Sequence, residues 1–161
     1  MRTPELNEEL VTLLPRLRRF ARALARNVHD ADDLVQLTIE RALARADQLK
    51  RDSPLVNWMF GILRHAWIDE LRTRARNQRV FAGESAGQDV SDPRQSDQAD
   101  VLSVQDAMAR LPQDQRLAVA LVLIEGLSYK EAAHVMDVPI GTLTSRLARG
   151  RETLQALLGE G

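Results

Sequence analysis

The sequence predicts an all-α protein: two small helical domains joined by a flexible acidic linker, the C-terminal one a helix-turn-helix. Three observations predict it. Apolar residues make up 44% of the 161-residue chain but aromatics only 4%, and Leu and Ala are prominent among them. Unbranched side chains such as these lose little rotamer freedom in a helix. Apolar positions recur at spacings of three and four through most of the chain, the period of an amphipathic helix. The stretch 81–100, FAGESAGQDVSDPRQSDQAD, has almost nothing to bury. It therefore separates an N-terminal unit, 1–80, from a C-terminal unit, 101–161.

In the first unit, Leu6 to Ala25 places Leu10, Leu13, Leu14, Leu17, Phe20, Ala21 and Leu24 on one helical stripe. A second helix, Asp30 to Ala46, opens on Asp30, Asp32 and Asp33, acids suited to the positive end of a helix dipole. Its expected apolar face is Leu34, Val35, Ile39, Ala42, Leu43 and Ala46. Ser53-Pro54 reads as an N-cap followed by proline at the first helical position. The helix after it runs to about Arg76. One face carries Val56, Met59, Phe60, Leu63, Trp67 and Leu71, the other Gly61, Arg64, His65, Arg72 and Arg76.

In the second unit, a short helix from Val101 to Arg110 is broken by Leu111-Pro112. Pro112 to Glu125 comes next, apolar along Leu117, Ala120, Leu121 and Ile124, and Gly126 suits the position just past its end. Ser128 with Glu131 three residues on is a capping box, and Leu127 can staple the start of that helix. The helix ends at Met136 or Asp137, Val138-Pro139 makes a turn, and a last helix runs from Ile140 or Gly141 to about Leu158.

The charge pattern limits the functions available. The chain's net charge is −1, but the basic excess lies in 1–80 and an acidic excess in 81–107. A nucleic-acid binder needs local basic stripes rather than an overall basic charge. With so little net charge, tight non-specific DNA binding by the free chain is not expected. No cysteine is present, which excludes disulfides and thiolate metal sites and fits a cytoplasmic location. No apolar run is long enough to span a membrane. Glu5, Glu8 and Glu9 make the N-terminus unlike a signal peptide. His29, His65 and His134 fall in separate elements, and no Gly-rich phosphate loop occurs, so neither a metal nor a cofactor is expected. Asp30, Asp32 and Asp33 could form a metal-dependent hydrolytic cluster, but three acids in a first helical turn are ordinary capping chemistry.

Two stretches suit DNA. A short helix, a turn and a second helix form a helix-turn-helix. Ala132 and Ala133 allow the helices to cross closely, and Leu143 and Leu147 face the core. Thr142, Thr144, Ser145, Arg146 and Arg149 then fall toward solvent, where arginine can pair a guanine edge and hydroxyls can reach phosphates or bases. A plain helical hairpin with a wet arginine face would give the same pattern. The second stretch, Arg64 to Arg79, holds Arg64, Arg72, Arg74, Arg76 and Arg79 near Trp58 and Trp67, a combination suited to unstacked single-stranded bases. Trp67 lies on the apolar stripe and is better read as core; for Trp58 core and base stacking stand level.

These pieces, in this order, resemble the bacterial RNA polymerase sigma factors of the extracytoplasmic-function group. LPRLRRFARAL (14–24), DADDLVQLTIERAL (30–43), NWMFGILRHAWIDELRTRAR (57–76) and the block from Leu111 to Leu154 carry the resemblance. The last includes E-G-L-S-Y-x-E-A-A and P-x-G-T-x-x-S-R. The resemblance implies that Asp32, Asp33, Gln36 and Glu40 dock on core RNA polymerase. Trp58, Arg64, His65, Arg72 and Arg76 would hold the melted −10 strand of promoter DNA. Thr142, Thr144, Ser145, Arg146 and Arg149 would sit at the −35 major groove. It also implies control by an anti-sigma factor. Leu37 stands where the family usually has an acid, His65 where asparagine is common, Gly61 where a longer polar residue is common, and Thr144 where Lys or Arg is frequent. A helix-turn-helix regulator with an N-terminal sensory domain is the alternative reading, and it would require a ligand pocket or phosphoacceptor in 1–80.

Overall fold

The structure, a computed structural model, describes residues 3–49, 54–80 and 103–159. The expected N-cap Ser53 and the expected linker 81–100 lie outside the described residues. Within them, all regular structure is helical.

Helix α1 (Thr3–Leu24) runs through Pro15, which is exposed. The ring removes one backbone donor, but the carbonyl it frees belongs to Val11, which is 66% exposed and can be met by water. Helix α2 (Val28–Ala44) starts at Asn27, whose side chain accepts from the Asp30 N–H at 2.7 Å. Its buried stripe is Ala31, Leu34, Val35, Thr38 and Ala42. This corrects the expected face at one point: Leu43 is 41% exposed, and Thr38 is buried in its stead. Thr38 avoids an unmet hydroxyl by donating to the Leu34 carbonyl at 2.7 Å, one turn back. A 3-10 turn (Ala46–Gln48) leads toward α3 (Leu55–Val80), which buries Val56, Met59, Phe60, Leu63 and Trp67 as expected. Phe20 of α1 and Phe60 of α3 meet with ring centroids 4.7 Å apart in a tilted pair.

In the second unit, α4 (Val104–Ala109) is capped by the Ser103 hydroxyl, and α5 (Gln113–Val119) starts after Pro112. A wider π-helical turn (Ala120–Ile124) continues α5, with the Glu125 N–H reaching back to the Ala120 carbonyl at 2.9 Å. Gly126 comes next at φ 78°, a left-handed conformation that favours glycine. Helix α6 (Tyr129–Met136) has the expected capping box, Ser128 accepting from the Glu131 N–H and Glu131 from the Ser128 N–H, each at 3.0 Å. It ends at Asp137, at φ 57° and ψ 49°, where the Val138 N–H returns to the Ala133 carbonyl at 3.0 Å. That closure satisfies the helix end and bends the chain for α7 (Ile140–Leu157).

Helices α1, α2 and α3 pack together, and so do α5, α6 and α7. The two groups also meet: α1 lies against α4, α5 and the π turn, and α3 against α6. The buried apolar side chains of both units form one connected cluster.

Candidate nucleic-acid interface

The helix-turn-helix is α6, the turn at Asp137–Pro139, and α7. Ala132, Ala133, Leu143 and Leu147 are buried at the crossing, as the sequence predicts. At Gly150 α7 comes so close to α5 that a Cβ would stand 2.7 Å from Val119 Cγ2. Of the five residues expected to face solvent from α7, Ser145 and Arg149 are exposed. Thr142, Thr144 and Arg146 are only half-exposed, which corrects the expectation. The Thr144 hydroxyl donates to the Gly141 carbonyl at 3.0 Å, and Arg146 Nε stands 3.4 Å from the Asp114 carboxylate of α5.

The basic face of α3 divides into two parts. Arg72 and Arg76 are exposed and, with Arg79 and Thr73, line a shallow groove. His65 is exposed at one edge; partial burial and then the adjacent Arg64 hold its pKa below the usual histidine value. Arg64 and Arg74 depart from the expected solvated row. Arg64 is half-buried and donates from Nε to the Val135 carbonyl of α6 at 3.1 Å. Arg74 binds Asp30 at 2.8 Å and Glu70 at 3.0 Å, and its guanidinium lies 5.6 Å from the centre of the Trp67 ring. It ties α3 to the start of α2, and its hydrogen bond is the main reason the Asp30 carboxyl titrates below the usual range. Trp67 is core, 4% exposed, with its indole N–H on Gln113 at 2.8 Å. Trp58 is half-buried against the core.

Asp32, Asp33, Gln36 and Glu40 are all exposed on α2. Three of them, Asp32, Gln36 and Glu40, line one groove with Leu14, Arg18 and Arg22 of α1. Asp30, Asp32 and Asp33 do not gather as a metal site: Asp30 is engaged by Arg74 and Asn27, and no group of three or more potential ligands occurs among the described residues. No described helix is long and apolar enough to cross a membrane.

Sequence reasoning missed the polar contacts between the units. Glu125, its side chain wholly excluded from solvent, accepts from Arg19 Nε and Nη2 at 2.8 Å each. Arg16 stands 3.4 Å from the same carboxylate and donates to the Glu125 carbonyl at 3.1 Å. Arg116, 8% exposed, donates to the carbonyls of Leu24, Ala109 and Leu111 at 2.8–2.9 Å. Asn57 of α3 donates to Glu131 of α6 at 3.0 Å. The signal for two of these was present: Arg116 and Glu125 interrupt apolar runs at positions that a purely solvated face would not use.

A helix-turn-helix beside a helical unit with an arginine-bearing face defines a DNA-binding protein of transcription. Comparison with known proteins narrows this. Residues 10–64 match the family model described as the Sigma2 domain of PhyR, and residues 102–154 match Sigma-70, region 4. The chain is 39% identical over 156 residues to the ECF RNA polymerase sigma factor EcfG of Rhodopseudomonas palustris, covering 97% of this chain and 86% of that protein. It is 36% identical over 143 residues to the ECF RNA polymerase sigma factor SigM of Mycobacterium tuberculosis, covering 89% and 71%. Among solved structures, it is similar to the sigma factor RpoE of Bartonella quintana in complex with the anti-sigma factor NepR, with a TM-score of 0.82, 35% identity and coverage of 96% and 97%. The chain belongs to the ECF RNA polymerase sigma factors, and is thus a transcription initiation factor.

Proposed function

We propose that this sigma factor divides its work among three surfaces. The exposed α2 residues Asp32, Asp33, Gln36 and Glu40 dock on core RNA polymerase. Arg72 and Arg76, with Trp58, Arg64 and His65, hold the opened −10 strand. Ser145 and Arg149, with Thr142, Thr144 and Arg146, enter the −35 major groove. The two domains are 1–80 and 101–161, with 81–100 between them. The protein works in the cytoplasm, performs no chemistry of its own and uses no cofactor. An anti-sigma factor holds it inactive, as NepR accompanies the similar sigma factor in its solved complex.

The observation that carries this reading is the geometry at Asp137. Its left-handed turn sets α7 across α6 so that Leu143 and Leu147 are buried while Ser145 and Arg149 project outward. Polymerase supplies the affinity that a chain of net charge −1 lacks, by holding both DNA-binding surfaces at high effective concentration. Run-off transcription with purified core polymerase tests it. Arg149→Ala should cut initiation at −35-dependent promoters about tenfold or more, the worth of one good base contact, while core binding is unchanged. Equal loss of core binding would remove Arg149 from the −35 surface.

A further inference from the structure

We infer that Asp114 is a positioning residue for promoter recognition, bracing Arg146 so that the free end of the arginine reads a guanine of the −35 element; this rests on the reading that places Arg146 at the −35 surface.

The two arginines of that surface are held differently. Arg146 and Arg149 lie three residues apart on α7 and are neighbours on the helix surface. Arg149 is exposed, and its side chain makes no hydrogen bond or ion pair among the described residues. Arg146 keeps only 29% of its side chain exposed, and its Nε faces Asp114 Oδ2 at 3.4 Å. A loose guanidinium suits a phosphate, which carries no sequence information. A held one suits a base edge, whose acceptors stand at fixed positions.

The brace is itself held. Asp114 lies in the first turn of α5, and its other oxygen, Oδ1, accepts from the Gln115 N–H at 2.9 Å. The carboxylate is thereby tied to the backbone. Helices α5 and α7 are packed closely just beside it: a Cβ on Gly150 would stand 3.4 Å from the Gln115 carbonyl oxygen. Gly150 comes about one turn after Arg146, and Gln115 directly follows Asp114, so this contact sets the gap across which carboxylate and guanidinium meet. An acid in a first helical turn would serve the helix dipole without any partner on another helix. Here it has one, and both residues belong to the same unit.

With Nε turned to Asp114, the two Nη groups are the end left free, and neither makes a hydrogen bond among the described residues. A pair of N–H donors matches O6 and N7 of guanine; adenine presents a donor of its own in place of O6. A half-exposed ion pair adds little to stability. Its worth lies in leaving fewer side-chain rotations to be fixed when DNA arrives.

The test uses the full chain with core polymerase. Duplexes randomised over the −35 and −10 segments are mixed with this holoenzyme, and the bound fraction is recovered and sequenced. The parent should enrich one −35 guanine about tenfold or more over the other bases, the worth of a good bidentate pair, and Arg146→Ala should erase that preference. Asp114→Asn keeps the shape and removes the charge; it should cut the same preference to about threefold or less and leave those at other positions as they were. Asp114→Glu should restore part of it, and Asp114→Asn should change nothing further in the Arg146→Ala background. The melting temperature of Asp114→Asn should match the parent's. A guanine preference unchanged by Asp114→Asn, or a loss spread evenly over all positions, overturns the positioning role. If Arg146→Ala leaves every preference intact, Arg146 is removed from the −35 surface, and the reading beneath the proposal falls with it.

Discussion

Two alanine substitutions, Gly61→Ala and Gly150→Ala, should move stability in opposite directions, although both glycines sit inside helices. Replacing a helical glycine by alanine is worth about 1 kcal/mol through the backbone entropy of the unfolded chain. The surroundings decide whether that gain survives. At Gly61 in α3 a Cβ meets nothing within 4 Å, so the gain is kept. At Gly150 in α7 a Cβ stands 2.7 Å from Val119 Cγ2 and 3.4 Å from the Gln115 carbonyl oxygen. Carbon atoms rest about 3.5–4.0 Å apart, so Val119 must retreat by about 1 Å. It is 2% exposed and β-branched, and has little rotamer freedom with which to do so. Overpacking of this kind costs about 1–3 kcal/mol, which outweighs the entropy gain and leaves a net loss of about 1 kcal/mol. For a chain of this length that corresponds to about 2–4 °C in Tm. Thermal melts followed by circular dichroism should therefore show Gly61→Ala above the parent and Gly150→Ala below it. A Gly150→Ala protein that melts higher than the parent would mean that α5 and α7 are not in contact there, and the placement of the recognition helix would have to be revised.

Two further outcomes rest on the polar contacts between elements. Arg116→Ala withdraws three charge-assisted hydrogen bonds from buried carbonyls and should cost about 2–4 kcal/mol, read from the urea midpoint; Arg116→Lys, a point charge that cannot fork to all three, should recover little of it. A loss under about 1 kcal/mol would show that water reaches those carbonyls. Acid should destabilise the fold through Asp30 and Glu131. Asp30 is lowered chiefly by the Arg74 hydrogen bond, and Glu131 by the Ser128 backbone N–H and then Asn57. A lowered carboxylate contributes stability above its unfolded pKa, near 4, and loses it as pH falls through the folded value. Melting temperature should drop from about pH 5 downward, and Asp30→Asn with Glu131→Gln should flatten that slope; an unchanged slope would exclude both groups.

The helices were legible because each rests on a local rule. The capping box at Ser128 and Glu131, the Gly126 stop and the stripes of α1 and α3 all appear where periodicity puts them. The recognition helix was legible for the same reason: Leu143 and Leu147 lie four apart and share a face. The sequence could not reveal which polar residues join distant parts of the chain. Leu43 and Thr38 show why: both fit a helical stripe, and only the angle at which α2 meets its neighbours decides that the threonine is inside. Arg146 and Arg64 show the same limit at the interface. Periodicity turned both outward, but Arg64 meets Val135 of the other unit once α3 lies on α6, and Arg146 meets Asp114 of α5 in its own.

That limit bears on how sigma factors of this build are read. Arg72, Arg76, Ser145 and Arg149 are exposed in the structure, and substitutions there should act on DNA contacts alone. Arg64 and Arg146 are engaged, Arg64 by Val135 of the other unit and Arg146 by Asp114 of its own, so substituting either removes a contact inside the protein as well as the proposed one to DNA. Arg64→Ala should consequently lower the melting temperature as well as transcription, whereas Arg72→Ala should lower transcription alone; equal melting temperatures for the two variants would show that the Val135 contact adds nothing to the fold.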